Sequence, residues 1–219
     1  YVNAFTKAKM ADYFLNSVLV VILSVAVLAL VAVPAAYVLS RYVFKGSRLI
    51  QNMYMACIFV QGTYLMVPLF LEMMDFHMLD NRFWISVVYA VMQFPFTIFL
   101  LTGFFGEIPK EYDEAAKVDG SSPFQTMFWV MIPMAKSGIV TALMLAFMGF
   151  WNEYPLALIL LQSDEKKTLP IGLANLFEVQ KYATDWGALF AALVIVMLPT
   201  AIIYAFTHKR LTSGLSIGG

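Results

Sequence analysis

Few residues in this chain could do chemistry, and most of them lie outside its long apolar runs. Glu153 is the one ionisable side chain within such a run, and it stands between Asn152 and Tyr154. A carboxylate, an amide and an aromatic ring suit the hydroxyls and faces of a sugar, so these three could line a path for one. The same carboxyl could instead carry a proton, act as an acid–base group, or hold neighbouring helices together by hydrogen bonding. An enzymatic role ranks low, because no His, metal cluster or Ser nucleophile falls in the same layer. Gln61 and Gln93 are further polar residues within apolar runs, with a weaker claim on a solute path. The single cysteine, Cys57, permits neither a disulfide within the chain nor a cysteine metal cluster. His77 and His208 fall on opposite sides of the membrane in the topology given below, so no metal site is expected. The chain has no Gly-x-x-x-x-Gly-Lys-Ser/Thr loop to cradle phosphates, so it is expected neither to hydrolyse ATP nor to hold a cofactor.

The elements that carry these residues must cross a membrane. Of 219 residues, 61% are hydrophobic and only 13% charged, and the mean hydropathy is +0.77. That composition excludes a disordered chain and an ordinary soluble enzyme. The 14 basic residues balance 14 acidic ones, so no net field draws in polyanions and no nucleic-acid partner is expected. A span needs about 20 mainly apolar residues. Five stretches qualify, near 15–39, 50–71, 84–105, 137–161 and 187–207. None alternates as a strand would, and backbone groups in lipid must be satisfied internally. The expected fold is therefore an all-α, polytopic membrane bundle forming a single domain. Each span holds one proline, Pro34, Pro68, Pro95, Pro155 or Pro199, which predicts kinked helices.

Lys and Arg alternate between the sides, eight against six. This bias puts loop 41–48, loop 107–136 and the C-terminus in the cytoplasm, and loop 164–185 outside. It also leaves Tyr1 outside without a leader, so a further span is expected upstream, making six. Gly138, Ala142 and Ala146 recur every four residues and would let another helix approach closely.

The loop 107–136 is long enough to be more than a connector. Pro109 suits a first helical turn. Lys110–Glu114 and Asp113–Lys117 are opposite charges four residues apart, and Asp119-Gly120 is a helix stop. Ser122-Pro123 reads as the cap and first residue of a second helix, which Pro133 kinks or ends. The loop is thus read as two short helices joined at a glycine. Ala115 and Ala116 leave room on the first helix for another protein's side chains.

The pattern Glu114-Ala115-Ala116, then Gly120, then Val130, Ile132 and Pro133 resembles the signature of the membrane subunits of ABC importers. The commonest form has Ile and Leu where this chain has Val130 and Ile132, a conservative departure. Asp119 before Gly120, Trp151-Asn152-Glu153-Tyr154 and the ending Leu211-Thr212-Ser213-Gly214 are similar to the carbohydrate-uptake, maltose-type branch, whose comparable subunit has six spans.

The resemblance implies that Glu114, Ala115, Ala116, Asp119 and Gly120 belong to a coupling helix seated in a groove on an ATP-hydrolysing subunit. Closure of two such subunits would turn a pair of permeases from inward- to outward-facing. The implied partners are a second homologous permease, two ATP-binding subunits that hold the ATP and Mg, and an extracellular or periplasmic solute-binding protein, all on a bacterial or archaeal cytoplasmic membrane. The implied cargo is a sugar or oligosaccharide, with glycerol phosphate, an amino acid or a polyamine as alternatives. In the maltose-type system the sugar site lies in the partner permease, which weakens any claim of Asn152, Glu153 and Tyr154 on it. The outer loop, including Leu169–Ala174, would contact the binding protein, and the tail would reach the ATPase interface.

Overall fold

The computed structural model describes residues 10–183 and 186–215, with the backbone alone at 179–183, 188 and 206–215. Every regular element among them is helical: α1 (Met10–Arg41), α2 (Ser47–Ile58), α3 (Gly62–Asp75), α4 (Arg82–Glu107), α5 (Glu111–Val118), α6 (Pro123–Met134), α7 (Lys136–Trp151), α8 (Pro155–Leu160), α9 (Leu169–Ala183) and α10 (Trp186–Leu215). The expected bases Lys7 and Lys9, the chain ends Tyr1, Gly218 and Gly219, and the side chains of 211–214 lie outside the described residues.

By length and composition α1 and α4 can each cross a membrane alone; the count rises to four if the broken pairs α2–α3 and α6–α7 are each one span. α10 adds the apolar stretch Leu189–Ala205. The stretches 15–39 and 84–105 fall within the unbroken helices α1 and α4.

The other expectations need revision. The stretch 50–71 is two helices, because Gln61 is extended (φ −71°, ψ 130°) and α3 starts afresh at Gly62. The stretch 137–161 is also two, α7 and α8, because Pro155 has no N–H to donate and disfavours helix at the residue before it. Pro34, Pro68, Pro95 and Pro199 lie within α1, α3, α4 and α10, where the expectation of kinks is neither met nor overturned. Segment 164–185, expected as a loop, holds a short 3₁₀ turn (Asp164–Lys166) and α9.

The chain forms two compact units. One takes in the N-terminal part through Ser24, Gln61–Tyr89 and Phe147–Phe206. Its core packs Trp151 edge-on to Phe14 and flat on Phe147, and Tyr89 flat on Phe150. The buried Trp151 indole donates to the Val196 carbonyl at 2.9 Å. Gly172 lets the ring of Tyr13 approach closely, since a methyl there would collide with the Cδ2–Cε2 edge of that ring.

Polar side chains of this unit hold the segment 160–169. Buried Asn16 donates to the carbonyls of Glu165 (2.8 Å) and Lys167 (3.0 Å) and accepts from Arg82 Nη1 (2.6 Å). Ser17 Oγ accepts from the Leu169 N–H at 2.8 Å. Asp80 Oδ1 accepts from the backbone N–H groups of Gln162 and Ser163, and Lys166 Nζ bonds both its Oδ2 (2.8 Å) and its carbonyl (2.7 Å).

The other unit comprises Val25–Val60, Ala90–Ala146 and the stretch from Thr207. Leu28, Ala32, Ala36, Leu101, Phe105, Met131 and Ala146 are buried in it. The small residues of α7 do the work expected of them: Gly138, Ala142 and Ala146 are all buried, and a methyl at Gly138 would collide with the ring of Phe104.

Burial alone would raise the Asp80 carboxyl, but hydrogen bonds from Lys166 and Ser163 bring it from 3.8 down to about 2. A carboxyl depressed by folding contributes stability that is complete above 3.8 and lost as the pH falls through about 2. At neutral pH, Asp80→Asn should speed hydrogen exchange at the amides of Gln162 and Ser163 by about tenfold, since bonds to a charged acceptor are the stronger ones. Unchanged exchange by mass spectrometry would mean that Asp80 does not hold this segment.

Candidate functional site: the helix at Glu111–Val118

α5 forms where its sequence favours it. Glu111, Asp113 and Glu114 occupy the first turn and Lys117 the last, complementing the helix dipole at both ends. The helix ends in a Schellman turn: the Gly120 N–H donates to the Lys117 carbonyl (3.0 Å) and the Ser121 N–H to that of Ala116 (2.9 Å). This turn sets Gly120 at φ +81°, a region open to glycine and strained for other residues. Ser122 then caps α6 in a reciprocal box with Gln125, with Pro123 in the first turn. A π-helical stretch, Thr126–Met131, leads to Pro133, after which the axis turns by 78° into α7.

The two faces of α5 differ. Asp113 and Ala116 are buried, whereas Glu114, Ala115, Asp119 and Gly120 are exposed, as are Tyr112 and Val118. Of the five residues expected to dock, Ala116 therefore faces the chain's own core and four face outward. The expected Asp113–Lys117 pair is not formed. Asp113 Oδ2 lies 3.3 Å from Arg41 Nε at the end of α1, with the two side chains 13% and 5% exposed. Lys117 is aligned with the ring of Tyr42, 6.0 Å from its centroid. Burial decides between the partners: an inward carboxylate needs an equally withdrawn cation, and the exposed Lys117 is not one. Arg41 Nη2 also donates to the Ile108 carbonyl at 2.6 Å, and Tyr37 Oη donates to Asp113 Oδ1 at 3.4 Å.

In the other unit, Asn152, Glu153 and Tyr154 share the break between α7 and α8. Glu153 Oε1 accepts from the Leu156 N–H (2.9 Å); Oε2 accepts from the Ala157 N–H (3.0 Å) and from Tyr89 Oη (2.7 Å). The carboxyl group thus caps α8, accepting from two first-turn N–H groups that the break leaves without a helical partner. Asn152 is exposed and its amide donates to the Met148 carbonyl at 2.8 Å. Tyr154 is half-buried beside Pro155. Gln61 is exposed at the start of α3, and Gln93 is half-buried within α4, in the unit that holds α5. Sequence reasoning missed Tyr37, Tyr89, Asn16 and Asp80, and treated Arg41 only as a topology marker. The available signal was positional: Asn16 is an amide inside an apolar run, and Arg41 is the first charge after one.

Residues 4–217 match the family model of the "Binding-protein-dependent transport system inner membrane component". The chain belongs to this family. It is an ABC transporter permease, and its match extends along nearly its whole length. It is 36% identical over 218 residues to the diacetylchitobiose uptake system permease protein NgcG of Streptomyces coelicolor, covering 100% of this chain and 72% of that one. It is 33% identical over 219 residues to the sulfoquinovosyl glycerol transport system permease protein SmoH of Agrobacterium fabrum, covering 100% and 76%. Among solved structures, a bacterial ABC transporter involved in import of the acidic polysaccharide alginate superposes with a TM-score of 0.82 at 26% identity, over 94% of this permease and 78% of that chain.

Gly120 separates backbone strain from crowding, because a Cβ there would meet nothing within 4 Å. Gly120→Val should reach the membrane yet lose solute uptake, whereas Gly120→Asn, which tolerates the left-handed region, should keep most of it. The energetic gap is about 1–2 kcal/mol. Equal uptake by the two variants in membrane vesicles would show that the turn at Gly120 is not what the site requires.

Proposed function

We propose that this permease moves a sugar or oligosaccharide inward across a cytoplasmic membrane, driven by ATP hydrolysed in separate subunits and transmitted through α5. The observation that carries the reading is the two-sided helix: buried Asp113 and Ala116 fix it to the permease, while Glu114, Ala115 and Asp119 remain open for a partner. The cargo rests on the relatives, whose names specify diacetylchitobiose, sulfoquinovosyl glycerol and alginate as what they carry.

The assembly we propose has a second, similar permease, two ATP-binding subunits and a solute-binding protein. ATP and Mg belong to the ATP-binding subunits, and this chain is non-catalytic. Its C-terminus and α5 lie in the cytoplasm, and α9, with the segment 160–168 before it, faces the binding protein. Rigid-body rocking of packed helices would alternate the access.

Glu153 is read as structural. Its two oxygens already serve two backbone N–H groups and a phenol, which disfavours a proton-coupled carrier built on this acid. The test is uptake by the reconstituted complex with sugar-loaded binding protein. Transport should require ATP and survive a protonophore. Transport that persists without ATP and collapses with the protonophore would overturn the reading.

A further inference from the structure

α5 can transmit force only if something fixes its inner face to the helices that must move. The apolar contribution is small: in an eight-residue helix, Asp113 and Ala116 are the buried side chains. The polar contribution is concentrated on one arginine. Arg41 holds α5 through Asp113 (3.3 Å) and holds the exit of α4 through the Ile108 carbonyl (2.6 Å). It is itself the last residue of α1. The preceding turn of α1 reinforces the junction. Ser40 Oγ donates to the Thr102 carbonyl at 3.2 Å, and the Tyr37 ring meets Phe105 edge-on while its hydroxyl reaches Asp113.

We infer that Arg41 and Asp113 are positioning residues that tether the coupling helix to the ends of α1 and α4, so that displacement of α5 becomes displacement of those two helices. The inference rests on the coupling role proposed above. A buried ion pair adds little net stability over an apolar pair of equal volume. What it adds here is a junction, because one guanidinium hydrogen-bonds the exit of α4 through Nη2 and keeps its charge 3.3 Å from the Asp113 carboxylate. An apolar contact of the same area would let α5 slide, whereas drawing α5 away would separate two withdrawn opposite charges, which is costly. Loss of the tether should therefore leave hydrolysis running while transport falls behind it.

The experiment uses the complete reconstituted transporter with sugar-loaded binding protein, and reads ATP hydrolysed per sugar moved. Asp113→Asn should raise that ratio by about tenfold, and Asp113→Glu, which keeps the carboxylate, should return it to within about twofold of the native value. Arg41→Lys keeps the cation but cannot serve the Ile108 carbonyl and Asp113 from one planar group, and should raise the ratio by about threefold. Uptake and hydrolysis that fall together, with the ratio unchanged, would reveal a purely structural pair and overturn the inference. If Asp113→Asn does not assemble, the Arg41→Lys ratio decides: raised supports the tether, unchanged overturns it. Ala115→Arg, on the exposed face, separates the two levels. If it too couples normally, the coupling role of α5 itself fails. If it uncouples while Asp113→Asn couples normally, only the tether fails.

Discussion

In a bilayer the backbone has no water to turn to, and this constraint governs the rest of the structure. Unbroken helix satisfies it without help, as in α1 and α4. At some interruptions a polar side chain stands in for a lost backbone partner. Glu153 does this at the break before α8, where its two oxygens serve two backbone N–H groups. Asn16, Ser17 and Asp80 do the same for the segment 160–169. Glu153 and Asn16, polar residues of the apolar runs, are thus committed to architecture.

The same logic shapes α5, the element proposed to couple. A helix of eight residues is too short to be stable alone, so its position is set by what it buries. It is held on one side by an ion pair withdrawn from solvent and on the other side it is free. The Schellman turn at Gly120 and the capping box at Ser122 then fix where the chain leaves it and how α6 begins. On the coupling role proposed above, the part that docks and the part that moves would be joined without a flexible linker between them.

The all-α membrane class was legible because long uncharged stretches in lipid admit little else. α1 and α4 were legible for the same reason, and the α5–α6 hairpin because Pro109, Asp119-Gly120 and Ser122-Pro123 are local signals whose physics acts within a few residues. The break at Gln61 was not legible, since Gly62 is tolerated in many membrane helices and nothing nearby marks it as a restart. α9 was hidden by the charges on either side of it, which read as a loop. Asp113 shows the general limit. Lys117 stands four residues away and satisfies the helix rule, yet the partner is Arg41, 72 positions back in the sequence. Spacing sees neighbours along a helix; burial, which selects the cation, depends on elements that sequence alone does not bring together.

The most direct test of the central claim is site-directed crosslinking in the assembled complex, with single cysteines placed at Ala115 and Ala116. The exposed Ala115→Cys should crosslink to the ATP-hydrolysing subunit with a yield that changes on ATP binding, while the buried Ala116→Cys should not. An assembled complex in which Ala115→Cys forms no such crosslink in any nucleotide state would contradict the assignment of α5 as the coupling element.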